Sequence, residues 1–267
     1  MLTSEEKRIY KITSLIKGTA SLDELRALFL SWRPGEAPVD FAKRIRAEGI
    51  LVKQTAQRAD DLVLRVFRPW FLMPDTTAVE RLQKIFRKNV DWHVLNELIL
   101  LYKSRAEAVL FDYLIKSFWV QFQEGALYLR MVDVENFLNE AREAGFIENE
   151  WSSYTQTRLA YGLLRVVKEV GFVKEEKREL YSFITYRVSN FFANYLAYDL
   201  HLAGLSDQAI VEHPDWRLFG LNRSQVLQKL SDLGDQSGIV MQQAGSVVRV
   251  TWLYKSMDEV IDAYFNR

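Results

Sequence analysis

The chain has no cysteine, which excludes disulfides, thiolate zinc centres and cysteine nucleophiles together. Proline and glycine are sparse, five and twelve in 267 residues, so a long all-β arrangement with its many tight turns is not expected. The three histidines, His93, His201 and His213, stand too far apart for a paired metal-ligand spacing. GxxxxGKS/T, GxGxxG and GxSxG motifs are all missing. The acidic pairs Asp60-Asp61 and Glu175-Glu176 lie on stretches read as exposed, where no burial tunes a carboxylate for acid–base work. His213-Pro214-Asp215 reads as a loop contact rather than a catalytic pair. These gaps nominate no catalytic residue, no metal and no cofactor, and the expectation is a protein that is not an enzyme.

Long apolar runs are missing too. VLNELILLY and AVLFDYLIKSFWVQF carry Glu97, Asp112 and Lys116 and fall short of the ~20 uninterrupted apolar residues of a membrane span. MLTSEEKRIYK is charged from its fifth residue, unlike a secretory leader. A cytoplasmic protein without a membrane partner is expected.

Apolar residues make up 49% of the chain, enough to bury a sizeable core. The 35 basic and 35 acidic residues cancel overall but not locally: residues 1–105 hold 19 Lys/Arg against 13 Asp/Glu, and residues 106–267 hold 16 against 22. A polyanion surface is therefore expected to be richest near the N-terminus.

The clearest shape runs from Met131 to Tyr186. Asp133 is a candidate N-cap for VENFLNEAREAG, which Gly145 ends. Ser152-Ser153 offers a cap to a second helix running to about Val170, closed by Gly171. On it Leu159, Leu163, Val166, Val167 and Val170 fall on one side; Tyr154, Arg158, Tyr161, Arg165 and Lys168 fall on the other. GFVKEEKRELYSFITY then places two short apolar or β-branched runs around a charged tip, Lys174 to Glu179. Helix, turn, helix and hairpin together suggest a winged helix, a unit that commonly lays its second helix in a DNA groove.

A second helix-turn-helix candidate precedes it. Ser21 and Glu24 form a capping box for LDELRALFLSW, stopped at Arg33-Pro34-Gly35. VDFAKRIRAEGIL gives a short helix broken at Gly49, and Thr55 can cap a helix from Ala56 to about Arg68, before Pro69. Ala59, Leu62, Val63 and Val66 face one way; Gln54, Arg58, Arg65 and Arg68 face the other, with Asp61 among them and Lys53 just ahead. IRAEGIL at 45–51 and AREAGFI at 141–147 echo each other weakly.

Arg81, Lys84, Arg87 and Lys88 lie on adjacent sides of a helix opened by Asp75-Thr76-Thr77, either as a solvated face or as a phosphate-contacting one. The aromatics from Asp91 to Glu124, Trp92 among them, read as core. Past the hairpin come an apolar helix, SNFFANYLAYDLHLAGL, and SDQAIVEH capped by Ser206. QVLQKLSDLG with Ser224 as cap, a β-hairpin around Ala244-Gly245, and a last helix after Ser256 follow.

HPDWRLFGL at 213–221, AGSVVRVTW at 244–252 and the closing YKSMDEVIDAYF resemble the BrxA family of bacterial BREX (bacteriophage exclusion) defence systems. TSLIKGTASLDELRALFLSW, RPWFL at 68–72, YKSRAEAVLFDYLIKSFW and WSSYTQTRLAYGLLRVVKEVGFV extend the likeness in family order over nearly the whole chain. The resemblance implies a small, cytoplasmic, mainly helical accessory protein with no known catalytic positions, and with DNA binding as its activity. Some family descriptions place it in the inner membrane, which the charges noted above oppose.

The expected architecture is mainly α and multi-helical, with helix-turn-helix and winged-helix-like units and a small C-terminal α+β unit carrying a β-hairpin. Its expected divisions are 1–75, 76–125, 126–190 and 191–267. Double-stranded DNA is the expected partner, gripped mainly through phosphates by Lys53, Gln54, Arg58, Arg65, Arg68, Tyr154, Arg158, Tyr161, Arg165 and Lys168. Other BREX proteins are expected partners as well, and a homo-oligomer is compatible with the sequence. The alternative is a scaffold or adaptor that docks other BREX components without touching DNA.

Overall fold

The computed structural model describes residues 9–11, 14–17, 20–51, 54–88, 90–147, 151–234, 237–245 and 247–265. Local capping chemistry sets most of its helix starts. In α1 (Leu22–Ser31) the Ser21 hydroxyl accepts from the Glu24 amide at 3.2 Å while the Glu24 carboxylate accepts from the Ser21 amide at 2.7 Å. α2 (Pro38–Ala47) starts on proline, whose missing N–H costs nothing in a first turn. Thr55 caps α3 (Ala56–Asp61).

The helix begun by α3 does not stop before Pro69. It widens into a π-helical stretch, Leu62–Phe67, and continues as α4 (Arg68–Phe71). The Arg68 amide bonds back to the Val63 carbonyl, five residues away, so the proline arrives in the first turn after a register shift. A proline that should have ended the helix is thereby accommodated.

α5 (Thr77–Phe86) and the long α6 (Trp92–Ala106) follow, then α7 (Ala108–Tyr113), a second π stretch (Leu114–Phe118) and α8 (Trp119–Gln123). Residues 91–124 supply core, including Tyr113 and Phe118 at 0% exposure, although Trp92 at the start of α6 is 45% exposed. Phe29 of α1 packs against Phe67, Phe71 and Phe86, with ring centroids 4.8 Å away in each case, which locks α1, the π stretch, α4 and α5 together.

The middle of the chain runs β1 (Tyr128–Arg130), α9 (Met131–Glu143), α10 (Ser153–Val170), β2 (Val173–Lys177) and β3 (Leu180–Phe183). The strands form one antiparallel sheet in the order β1-β3-β2, with Leu129 opposite Tyr181 and Val173 opposite Phe183. Two details depart from the sequence reading. Asp133 sits inside the first turn of α9 and accepts from the Arg130 amide at 2.7 Å, so it closes the helix start from within instead of capping it. Most of the charged run 174–179 lies in β2, and the turn itself is Arg178-Glu179, with Glu179 at φ 60°.

α11 (Asn190–Leu202) is apolar on nearly every side and is buried accordingly. α12 (Asp207–Val211), a 3-10 stretch (Pro214–Phe219) and α13 (Arg223–Ser231) lead to the hairpin of β4 (Ile239–Ala244) and β5 (Val247–Trp252), then to α14 (Met257–Phe265). Asn222 rather than Ser224 caps α13, because its side-chain oxygen reaches the Gln225 amide at 3.0 Å. The Tyr198 hydroxyl of α11 accepts from the Leu253 and Tyr254 amides and donates to the Gly238 carbonyl, stapling both hairpin ends to the helix.

The buried apolar residues form one continuous cluster from Tyr10 to Ile261, and charged groups are built into it in pairs. Arg105 of α6 bonds Asp215 at 2.7 Å and Asp199 at 2.8 Å, and Asp199 also takes Arg81 of α5. Glu97, with 0% exposure, accepts the Ser189 amide at 2.8 Å and the Ser189 hydroxyl. Burial pushes its carboxyl up and the Ser189 hydrogen bonds oppose that rise. No helix among the described residues is long and apolar enough to cross a membrane.

Candidate nucleic-acid interface

α10 owes its position to two local signals. The Ser152 hydroxyl accepts from the Thr155 amide at 3.2 Å, and Gly171 at φ 88° closes the far end in a left-handed conformation. Between them Leu159, Leu163, Val166 and Val167 are buried, which turns Tyr154, Arg158, Tyr161, Arg165 and Lys168 outward as one exposed row. The hairpin of β2 and β3 flanks the C-terminal end of this row.

The row is not a bare cationic stripe. Arg165 pairs with Glu169 at 2.8 Å, Lys168 with Glu175 of β2, and the Tyr161 hydroxyl donates to Glu179 at 2.6 Å. The hydrogen bond to Glu175 raises the Lys168 ammonium, and that to Glu179 raises the Tyr161 phenol. Arg158 donates to the Tyr154 hydroxyl and to the Ile16 carbonyl, both at 3.0 Å, with its guanidinium 5.7 Å from the Tyr154 ring centre. Residues 153–183 hold six Lys/Arg against four Glu, so the surface stays net positive. Pairs this exposed are each worth about 0–1 kcal/mol and can exchange partners.

The other candidate face is less uniform. Gln54 donates to Glu24 at 2.8 Å, Arg65 pairs with Asp61 at 3.0 Å, and Arg58 is half-buried. Arg68 is exposed with no ion pair among the described residues. Lys53 lies outside the described residues. The 3-10 turn Ser14–Lys17 packs against both the π stretch that carries Arg65 and α10 that carries Arg158.

Of the cluster on α5, Arg81 is spent on Asp199 and Lys84 on Asp258 and Asp262, at 2.9 and 2.8 Å. These two bind the protein's own carboxylates, Arg81 in a partly buried pair and Lys84 in a more exposed one. Arg81 and Lys84 find those partners 118 and 174 residues away, a signal no local reading contains. The Arg165–Glu169 pair, by contrast, stands at i,i+4 spacing and was visible in the chain. Lys103 also escaped the sequence reading: it looks like one more charge on a helix, yet it is 4% exposed. Among the described residues no group of three or more His, Asp or Glu is placed to hold a metal ion.

A sequence model of a protein family, described as BrxA, matches residues 9–196. No curated protein matches the chain. Among solved structures, the chain is similar to the crystal structure of an uncharacterized protein from Magnetospirillum magneticum, at 18% identity and a TM-score of 0.61. That likeness covers 79% of this chain and 99% of the other, and it concerns the fold.

Proposed function

The chain belongs to the BrxA family and so is a component of a BREX phage-defence system, and from that premise we propose that it is a non-catalytic, cytoplasmic protein that binds double-stranded DNA. The observation that carries this reading is the outward row of α10, where two tyrosines and three cations stand beside a hairpin whose three Lys/Arg and three Glu balance. The strand–helix–helix–hairpin order with strands β1-β3-β2 supports describing residues 126–190 as a winged helix with α10 as its reading helix. Contact is led by phosphates: Arg158, Arg165 and Lys168 exchange their neutral or carboxylate partners for phosphate oxygens, while Tyr154 and Tyr161 pack on sugar and base edges. Titration of labelled, unrelated duplexes at increasing salt tests it. Micromolar binding whose log affinity falls linearly with log salt is expected, and no binding at low salt overturns it.

A second reading rests on a different observation. Tyr161, Arg165 and Lys168 all meet carboxylates of this same chain, the mixed-charge character of a protein-docking surface. Here α10 contacts another component of the BREX system, and that component touches DNA. Recovery of the tagged chain with its system partners after nuclease treatment, lost on Arg158→Glu, favours docking.

A further inference from the structure

Between α1, α6 and α10 lies a cavity of about 200 Å³. Its walls are mostly aliphatic, from Leu22, Leu25, Ile99 and Val166 among others, but three charged side chains meet in it: Lys103, Arg165 and Glu169. Lys103 is the unusual one. Its side chain is 5% exposed, yet its ammonium makes no hydrogen bond among the described residues. The nearest carboxylate oxygen, Glu169 Oε2, stands 3.9 Å away, and the Trp70 ring centre lies 4.6 Å off. Three strong donors have been taken out of water with one long ion pair, the field of the buried Glu107 carboxylate and one ring for company, a costly arrangement unless an acceptor arrives.

The charge and the space both restrict that acceptor. On the cavity wall Lys103 and Arg165 face Glu169 alone, while Glu107, which also draws on Lys103, lies outside that wall with its carboxylate held by the Trp70 indole, a balance that admits one anionic group. The volume is below the roughly 300 Å³ at which pockets begin to hold drug-sized molecules, so a nucleobase with its sugar does not fit. Arg165 is half exposed, which puts one wall of the cavity on the surface row of α10. Ser21, whose hydroxyl oxygen already accepts from Glu24, still has its proton to donate.

We propose that this cavity seats one phosphate-type oxyanion, with Lys103 as its buried donor and Arg165 as its donor at the surface. The anion is either a phosphate of a duplex lying along α10 or the phosphate of a free ester. The first source rests on the DNA-binding reading, and the seat itself does not. Burial and the neighbouring Arg165 hold the Lys103 ammonium down to about 8, against the pull of Glu169 and Glu107, so Lys103 is charged at neutral pH and loses its charge in mild alkali while Arg165 keeps its own. An anion bound there raises that value.

The test uses the full chain with isotope-labelled lysine, the Lys103 signal being identified by its loss in Lys103→Arg, and inorganic phosphate as the probe. Saturable movement of the Lys103 signal and an upward shift of its titration are expected. In parallel, duplex affinity is measured against salt for the wild type and Lys103→Met. A slope shallower by about one in the variant assigns the seat to a duplex phosphate. A phosphate response with an unchanged slope, or with no duplex binding at all, supports the seat for a free phosphate ester. The second of these removes the DNA-binding reading alone. No phosphate response at Lys103 together with an unchanged slope overturns the proposal. Should Lys103→Met fail to fold, the wild-type phosphate titration decides by itself.

Discussion

Tyr161 of α10 donates its hydroxyl hydrogen to Glu179 at the turn of the hairpin, 2.6 Å away, and so fastens the candidate reading helix to its neighbour. The bond and the adjacent Lys168–Glu175 pair are exposed, and each places a carboxylate where a phosphate would come. Replacing Glu175 and Glu179 together by Gln keeps the shape and removes two like charges from that path. Duplex binding is expected to tighten several-fold at low salt and to depend more steeply on salt, while stability moves by less than about 1 kcal/mol. Anisotropy titrations and urea melts read both. Weaker duplex binding in the double variant would count against α10 as the DNA surface.

Gly162 sits where the turn Ser14–Lys17 crosses α10. A Cβ there would stand 3.0 Å from the Leu15 carbonyl oxygen and 3.2 Å from the Leu15 Cβ. In an open helix interior Gly→Ala gains up to about 1 kcal/mol, so the sign of the change is diagnostic. Gly162→Ala is expected to destabilise by about 1–3 kcal/mol in urea unfolding, because the turn must move off the helix. A gain in stability would show that the turn does not bear on α10.

Asp199 holds Arg81 and Arg105 at once, and Arg105 is about 30% exposed at its side chain while Asp199 is 11%. Asp199→Asn leaves two partly buried guanidinium groups short of their shared carboxylate. A loss of about 3–5 kcal/mol is expected, against less than 1 kcal/mol for Asp40→Asn in the exposed Lys43 pair. Denaturant melts of both variants make the comparison. Equal effects would deny the cluster its structural role.

Lys103 gives a pH signature of its own. Its ammonium is held at about 8 in the folded chain and sits near 10.5 when unfolded, so between these values the unfolded chain binds more protons. Stability contributed by this group is therefore lowest below about pH 8 and rises as pH climbs towards 10.5. Urea midpoints for the wild type, compared with Lys103→Met across that window, are expected to draw together by the rise of the wild type. Parallel curves for the two proteins would contradict it.

What the chain made legible follows from how far each interaction reaches. Ser21 with Glu24, Thr55, Ser152 and Gly171 act within four residues of themselves, so their roles could be read in advance. Where two polar candidates lay close together the choice failed. Asn222 displaced Ser224 because its amide reaches Gln225 while keeping extended backbone angles. Pro69 misled because the cure for a helical proline, a π turn, has no sequence mark of its own. The outward row of α10 followed from 3.6-residue periodicity, but two of its three carboxylate partners did not, since Glu175 and Glu179 arrive from another element. Lys103 was hidden for the same reason, its burial being decided by α1, α10 and Trp70 together.

Lys84 of α5 receives its two carboxylates from α14, and Tyr264 and Phe265 of that helix close over Phe191 of α11. On the ribosome, then, an early helix emerges 174 residues ahead of the Asp258 that completes it. Until α14 is made, α11 shows an uncovered oily flank. A product interrupted before Met257 retains that flank, which makes the shortened polypeptide a natural client for chaperones and proteases.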